Sequence, residues 1–103
     1  FQRALFLNSE LTDQKLKTRQ RLGILLEMGK YSEALALEPR LSRLNLLKDQ
    51  EVVYGLAYVK FRIGDYDGAE QLLKTISKDS LFNNVTKLMK AIEVYKRTEW
   101  FIP

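Results

Sequence analysis

The sequence predicts an all-α fold from its composition and from its hydrophobic pattern. The 103 residues include only two prolines and five glycines, few for a chain built on many tight β turns. Leucine, lysine, glutamate and alanine are abundant, and all four favour helix. Apolar residues also recur three and four positions apart, as in the stripe Leu88, Ala91, Ile92 and Tyr95. A chain of this length is expected to form one domain with a modest core.

Cysteine and histidine are both absent, which narrows the chemistry that the chain can perform. Disulfides, thiolate zinc sites and cysteine nucleophiles are excluded. The commonest general base at neutral pH and the commonest transition-metal ligand are missing with histidine. Asp65 and Asp67 are the nearest carboxylate pair, but they flank Tyr66 in a predicted turn, where turn formation and helix capping explain them. We therefore expect no enzyme activity, no metal site and no cofactor.

The net charge is +4, yet the basic residues are spread along the chain. The densest basic run, from Lys15 to Arg21, is interspersed with leucine. Such a run is typical of the solvent-exposed face of a helix. We therefore favour a solvated face, and a basic RNA-associated module is the alternative. The sequence contains no run of about 20 apolar residues, which is the length that a helix needs to span a bilayer. The absence of cysteine is compatible with a reducing compartment, so the expected location is intracellular and cytoplasmic.

The first element is residues 1–8, where Ala4-Leu5-Phe6-Leu7 is typical of the end of a helix that precedes the first full unit. The chain does not begin with methionine and lacks the apolar run of a signal peptide. We therefore expect a fragment or a processed form of a longer helical array.

The next two elements are copies of one pattern, 35 residues apart. Both contain a glycine, a tyrosine and an alanine at the same spacing: Gly29, Tyr31 and Ala34 in the first, and Gly64, Tyr66 and Ala69 in the second. A period between about 20 and 50 residues indicates stacked supersecondary units. The chain is therefore divided into repeat 1 (15–49), repeat 2 (50–84) and a terminal helix or partial third repeat (85–99).

Each unit is predicted to be a helical hairpin. Its first helix ends at the glycine, which can adopt the left-handed conformation of a helix C-terminus. Ser32 or Asp67 then caps the second helix with a side-chain oxygen. The alanine is small where two antiparallel helices approach, and the tyrosine ring is expected to pack against both helices of its hairpin. Pro39 lies inside the second helix of repeat 1 and predicts a split after Glu38.

The glycine, tyrosine and alanine spacing resembles the turn of the tetratricopeptide repeat, and it occurs twice at close to that family's usual period. The resemblance is strongest in repeat 2, where Val53, Leu56 and Ala57 fall on packing positions of the first helix. Repeat 1 is degenerate, since Arg21 and Glu38 occupy positions that are usually apolar. The resemblance implies a right-handed solenoid of antiparallel hairpins. It also implies a protein-interaction scaffold or adaptor, a subunit of a protein complex.

The same resemblance implies that a partner binds in the concave groove lined by the first helices. The groove positions carried over to this chain are Arg19, Leu26, Tyr54, Tyr58, Phe61, Arg62 and Met89. Among them, the aromatic row of residues 54, 58 and 61 is the most suggestive, because aromatic residues are enriched at binding hot spots. Ordinary core is the competing interpretation. We place the row on the groove side, because Val53, Leu56 and Ala57 already supply a packing face. The expected occupant is an extended or helical segment of a protein partner.

Other partners follow from further patterns. Tyr54-Gly-Leu-Ala57, Gly64-Asp-Tyr66 and Asn83-Asn84 resemble tail-anchored mitochondrial fission adaptors. That resemblance implies a membrane-tethered adaptor on the mitochondrial outer surface, with an anchor outside this chain. The apolar ends of a solenoid make self-association a further expectation. Binding of the acidic tail of heat-shock chaperones is not expected, because Gly23 and Gly55 stand where that clamp has asparagines.

Overall fold

The computed structural model describes the backbone of residues 2–101 and the side chains of residues 12–97. No strand occurs within residues 2–101, so the prediction of an all-α fold is confirmed. The helices are α1 (Gln2–Glu27), α2 (Tyr31–Leu35), α3 (Glu38–Arg43), α4 (Gln50–Ile63), α5 (Tyr66–Lys74) and α6 (Phe82–Phe101). Single 3₁₀ turns, Leu46–Lys48 and Asp79–Leu81, precede α4 and α6. Among the described residues, no helix is both long and apolar enough to cross a membrane.

The long α1 helix departs from the predicted segmentation. Residues 1–8 were expected to end a separate helix, but residues 2–8 are the first turns of α1. Repeat 1 was expected to begin at residue 15, which lies in the middle of the same helix. The physical reason is that α1 contains no proline and, before Gly23, no glycine, so nothing in this stretch interrupts the hydrogen-bond ladder. The terminal element also begins earlier than predicted, at Phe82 instead of residue 85.

The two glycine turns have the same geometry, as their spacing predicts. Gly29 and Gly64 both have positive φ, +70° and +94°. In each turn the following amide donates to the carbonyl five residues earlier: Lys30 to Leu25 at 2.9 Å, and Asp65 to Lys60 at 2.8 Å. This is the Schellman pattern, which closes a helix and satisfies its last carbonyl groups. The predicted left-handed glycines are therefore confirmed in both units.

The predicted caps of the second helices are wrong. The residue that caps α5 is Asp65, whose Oδ1 accepts a hydrogen bond from the Gly68 amide at 3.1 Å. Asp67 lies inside the first turn of α5. The α2 helix begins after Lys30 and has no side-chain cap, so Ser32 does not serve as one. In both units the second helix starts at the tyrosine, so its N-cap position is the residue just before the tyrosine. This position lies two residues before the predicted cap.

Pro39 divides the second helix of repeat 1, as predicted, although the break lies before Glu38 and not after it. The α2 helix ends at Leu35, and Pro39 occupies the first turn of α3. Proline is tolerated there because the first amides of a helix have no intrahelical acceptor. Its ring would clash with the carbonyl four residues earlier, at Leu35, which is where α2 stops.

The hydrophobic core consists of two clusters that share α4. Cluster 1 joins α1, α2, α3 and α4 through Leu22, Leu25, Ala34, Leu41, Leu46, Val52, Leu56 and Val59. Cluster 2 joins α4, α5 and α6 through Ala57, Ala69, Leu73, Leu88 and Ile92. Ala34 and Ala69, the predicted sites of close helix approach, are both fully buried. Because opposite sides of α4 belong to different clusters, this helix links the two halves of the chain.

Candidate protein-binding surface

The aromatic row on α4 is half-buried and packs against cluster 2. The Tyr58 and Phe61 rings lie 6.4 Å apart between centroids. Phe61 also meets Tyr66 of α5 at 5.9 Å and Tyr95 of α6 at 5.3 Å. The row was placed on the side of α4 away from the packing face, and the structure instead makes it an edge of the core. Aromatic rings on the neighbouring helices supply the contacts that the pattern of α4 alone does not reveal.

The tyrosines of the two turns connect each unit to the following one. Tyr31 meets Tyr58 of α4 at 6.0 Å in an edge-on arrangement. Tyr66 stacks against Tyr95 of α6 at 6.2 Å. The sequence predicts that each ring packs within its own hairpin, and it misses these contacts with the next long helix. Tyr58 and Tyr95 follow the two turn tyrosines by 27 and 29 residues, and this similar spacing is the sequence signal that could have found these contacts.

Two members of the predicted site, Tyr58 and Arg62, both contact Tyr31 of the first turn. The Arg62 guanidinium carbon lies 5.3 Å from the Tyr31 ring centroid, which is a cation–π geometry. A hydrogen bond with Tyr31 raises the pKa of Tyr58, and burial acts in the same direction. Burial likewise raises the pKa of Tyr54. Both phenols therefore stay neutral at physiological pH, so Arg62 provides the positive charge of this patch.

Arg19 is held by acidic residues at the start of α4. Its guanidinium lies 3.2 Å from Asp49 Oδ2 and 4.0 Å from Glu51 Oε2. Asp49 also caps α4 by accepting a hydrogen bond from the Glu51 amide at 3.0 Å. Glu51 pairs in addition with Lys78 at 3.1 Å. Arg19 therefore belongs to a network that ties α1 to α4, and its charge is already partly matched.

Leu26 lies at a contact between α1 and α4. It is half-buried against cluster 1. A Cβ atom on Gly55 would come within 3.3 Å of Leu26 Cδ1 and 3.6 Å of Leu22 Cδ2. Gly55 is thus a packing residue that lets the two helices come together. This contact leaves little room for the asparagine of a chaperone-tail clamp.

Met89 is half-buried against cluster 2, the cluster on which the α4 row also packs. It lines a separate depression of about 470 Å³ between α5 and α6, with Glu70 and Glu93 among its neighbours. The prediction carried groove positions from α4 to α6 with a spacing of 35. Residues that pack on the preceding unit instead differ by 36, as Val52 and Leu56 do from Leu88 and Ile92. One residue turns a side chain by about 100° around the helix.

Ion pairs support the spacing of 36. Lys60 on α4 pairs with Glu38 on α3 at 3.5 Å. Lys96, 36 residues later on α6, pairs with Glu70 at 3.0 Å and with Asp67 at 2.7 Å on α5. Both lysines therefore reach back to the second helix of the preceding unit. By the same spacing, the counterpart of Tyr58 on α6 is Val94, whose surface is 58% exposed and which the sequence reasoning missed.

The carboxylate pair in the second turn has structural roles. Asp65 caps α5, and Asp67 accepts a hydrogen bond from Lys96. That hydrogen bond and the lysine charge lower the pKa of Asp67. Within the part of the chain that the structure describes, no group of three or more acidic, histidine or cysteine side chains could hold a metal ion.

Comparison of the chain with protein-family models, with curated proteins and with solved structures found no significant match.

Proposed function

We propose that this chain is a tetratricopeptide-like scaffold that holds a segment of a protein partner against the face formed by α1, α4 and α6. The observation that carries the proposal is the repetition of one turn geometry. Positive φ at Gly29 and Gly64, the same five-residue hydrogen bond and a buried alanine five residues after each glycine recur at a spacing of 35. Repeated helical hairpins of this kind stack into extended surfaces suited to binding proteins.

The contacts between helices are consistent with stacked hairpins. The long helices touch in sequence, α1 with α4 and α4 with α6, and α2 and α5 pack beside them. In the proposed solenoid, α1, α4 and α6 form one layer and the shorter helices form the other.

The proposed contact surface on α4 is formed by Glu51, Tyr54, Tyr58 and Arg62. Residues 51, 58 and 62 are seven and four positions apart and therefore share one side of the helix. Glu51 and Arg62 are exposed, and the two tyrosines are half-buried. The adjacent side of α4 contributes Val52, Leu56 and Val59 to cluster 1. Glu51 is already paired with Arg19 and Lys78, so the helix presents two tyrosines beside the positive charge of Arg62. Tyrosine and arginine are enriched at binding hot spots, and an arginine suits a carboxylate on the partner.

A charge reversal on this surface tests the proposal. Arg62→Glu is compared with Lys74→Glu, an equal change of charge at an exposed site near the end of α5. Partners captured from the source organism by the wild-type chain are quantified for both variants. We expect Arg62→Glu to lose the captured partner and Lys74→Glu to retain it. Equal capture by both variants would show that this face of α4 is not the binding surface.

The stability of the two variants needs to be matched before they are compared. Arg62→Glu removes the cation–π contact with Tyr31, which is worth about 0.5–1 kcal/mol at an exposed site. Thermal unfolding followed by circular dichroism measures this loss. Capture at a temperature where both variants are fully folded then reports on binding alone.

A further inference from the structure

A second surface lies between α1 and α3, away from the α4 face. A depression of about 480 Å³ is lined there by Lys17, Arg21, Ile24, Leu25 and Arg40, together with Thr18 and Gln20. Leu25 is buried in cluster 1, whereas Ile24 is 55% exposed. Thr18 donates its hydroxyl to the Gln14 carbonyl at 2.7 Å, so its polar atom is already satisfied. The depression therefore has an apolar floor with basic side chains around it.

The charge around this depression is strongly one-sided. The described residues that line it include three cations and no carboxylate. Lys17 pairs with Asp13 at 3.1 Å, but both side chains are well exposed, so the pair stabilises little. Arg21 and Arg40 make no ion pair within residues 12–97. Two guanidinium groups are thus left available to an anionic partner.

The whole charge excess of the chain lies in the half that carries this depression. Residues 1–48 contain nine basic and five acidic side chains, whereas residues 49–103 contain eight of each. The half that bears Tyr54, Tyr58 and Arg62 is therefore neutral, and the half that bears Arg21 and Arg40 has the full +4. Long-range attraction of an acidic partner favours the α1–α3 side of the molecule.

We propose that this depression docks an acidic peptide segment of a partner protein, with one aliphatic side chain placed on the Leu25 floor. Carboxylates on either side of that anchor pair with Arg21 and Arg40, whose forked guanidinium groups suit carboxylate oxygens. The residues lining the depression include no aromatic ring. Single-stranded RNA is usually held by stacking of its bases on aromatic side chains, so the lining favours a peptide.

The test uses the full chain and a fluorescein-labelled peptide, Glu-Glu-Leu-Glu-Glu, with Glu-Glu-Ser-Glu-Glu as the matched probe without an anchor. Fluorescence anisotropy measures the affinity of both peptides for three proteins: wild type, Arg21→Glu/Arg40→Glu, and Lys74→Glu/Lys87→Glu. The last variant makes the same change of charge at exposed lysines of α5 and α6. Circular dichroism confirms that all three proteins are folded.

We expect the leucine peptide to bind wild type and the Lys74/Lys87 variant alike, and to bind the Arg21/Arg40 variant at least about tenfold more weakly. We also expect the serine peptide to bind wild type more weakly than the leucine peptide. Equal affinity for both arginine and lysine variants would overturn the site. Equal affinity for both peptides would overturn the apolar anchor.

The same proteins distinguish the acidic peptide from two other occupants of the depression. If an oligouridine probe binds wild type more tightly than the leucine peptide does, and binds the Arg21/Arg40 variant more weakly, the occupant of the depression is RNA and not a peptide. A dimer in sedimentation velocity that this variant abolishes would replace it with a second copy of the chain. Because Arg62 lies on a different face, Arg62→Glu leaves peptide affinity unchanged if the two surfaces are independent. Failure of this site is therefore distinguishable from failure of the proposed function.

Discussion

Replacing Phe61 with alanine tests whether the aromatic row is core or open groove. The ring contacts Tyr58, Tyr66 and Tyr95 at centroid distances of 6.4, 5.9 and 5.3 Å. It thereby links α4 to both α5 and α6. Truncation removes these contacts and leaves a gap that the neighbouring rings cannot fill without shifting. The perturbation therefore separates a stabilising residue from one that only contacts a partner.

The expected loss can be bounded from the burial of the ring. A fully buried phenylalanine costs about 3–5 kcal/mol when replaced by alanine. Phe61 is half-buried, which lowers this figure, whereas each aromatic pair adds about 0.5–1.5 kcal/mol beyond its area. We therefore expect the free energy of unfolding to fall by about 2–4 kcal/mol. That is a large share of the roughly 5–15 kcal/mol typical of a domain.

Urea unfolding followed by circular dichroism measures this change, with Arg62→Ala as the matched control on the next residue. Arg62 is exposed and makes one cation–π contact, so its replacement is expected to cost about 1 kcal/mol or less. Equal, small losses for both variants would refute the reasoning. Phe61 would then lie open on the surface, and its place among the rings of α5 and α6 would be wrong.

Three further predictions concern the elements that hold α5 and α6 in place. Lys96 lowers the pKa of Asp67 below its ordinary value of 3.8, so the pair stabilises the fold above that pH and its contribution is lost as the pH falls through the lowered pKa. Urea midpoints measured from neutral to acidic pH should show this acid loss in wild type, and Lys96→Met should reduce it; identical profiles would contradict the pairing. Gly64→Ala places a Cβ at φ +94° and should cost about 1–2 kcal/mol. Its control Gly23→Ala, inside α1 with open space around it, should gain about 0.5–1 kcal/mol, so an equal effect of the two would be against a left-handed turn. Leu73→Ala, at a side chain that is 1% exposed, should cost about 2–5 kcal/mol in thermal or urea unfolding, and a loss below about 1 kcal/mol would place α5 off the core.

The features that could be predicted from sequence are those determined by neighbouring residues. Gly29 and Gly64 end their helices because only local backbone conformation decides a left-handed turn. Pro39 divides a helix for an equally local reason. The features that sequence did not predict depend on contacts between helices. Phe61 became part of the core through rings on α5 and α6, and no periodicity within α4 contains that information.

The register of α6 shows how one residue in a connection changes a predicted site. The spacing of 35 is correct for the two turns, because each turn follows its own helix directly. On α6 the packing residues Leu88 and Ile92 instead fall 36 positions after Val52 and Leu56, because the segment that joins α5 to α6 changes the register. A connection changes the phase of a helix without changing its apolar pattern. The exposed face of α6 therefore could not be derived from periodicity.

Because α4 contributes to both clusters, only some substitutions on the two proposed surfaces can separate a loss of binding from a loss of packing. Tyr54 and Tyr58 of the α4 face pack against cluster 2, which α4 shares with α5 and α6. A bulky change at Tyr54 or Tyr58 would therefore disturb packing as well as binding. Arg62, Arg21 and Arg40 are exposed and can be reversed in charge without entering either cluster. Once the small stability loss of Arg62→Glu from its contact with Tyr31 is matched, loss of a partner at these three arginines can be assigned to a surface and not to unfolding.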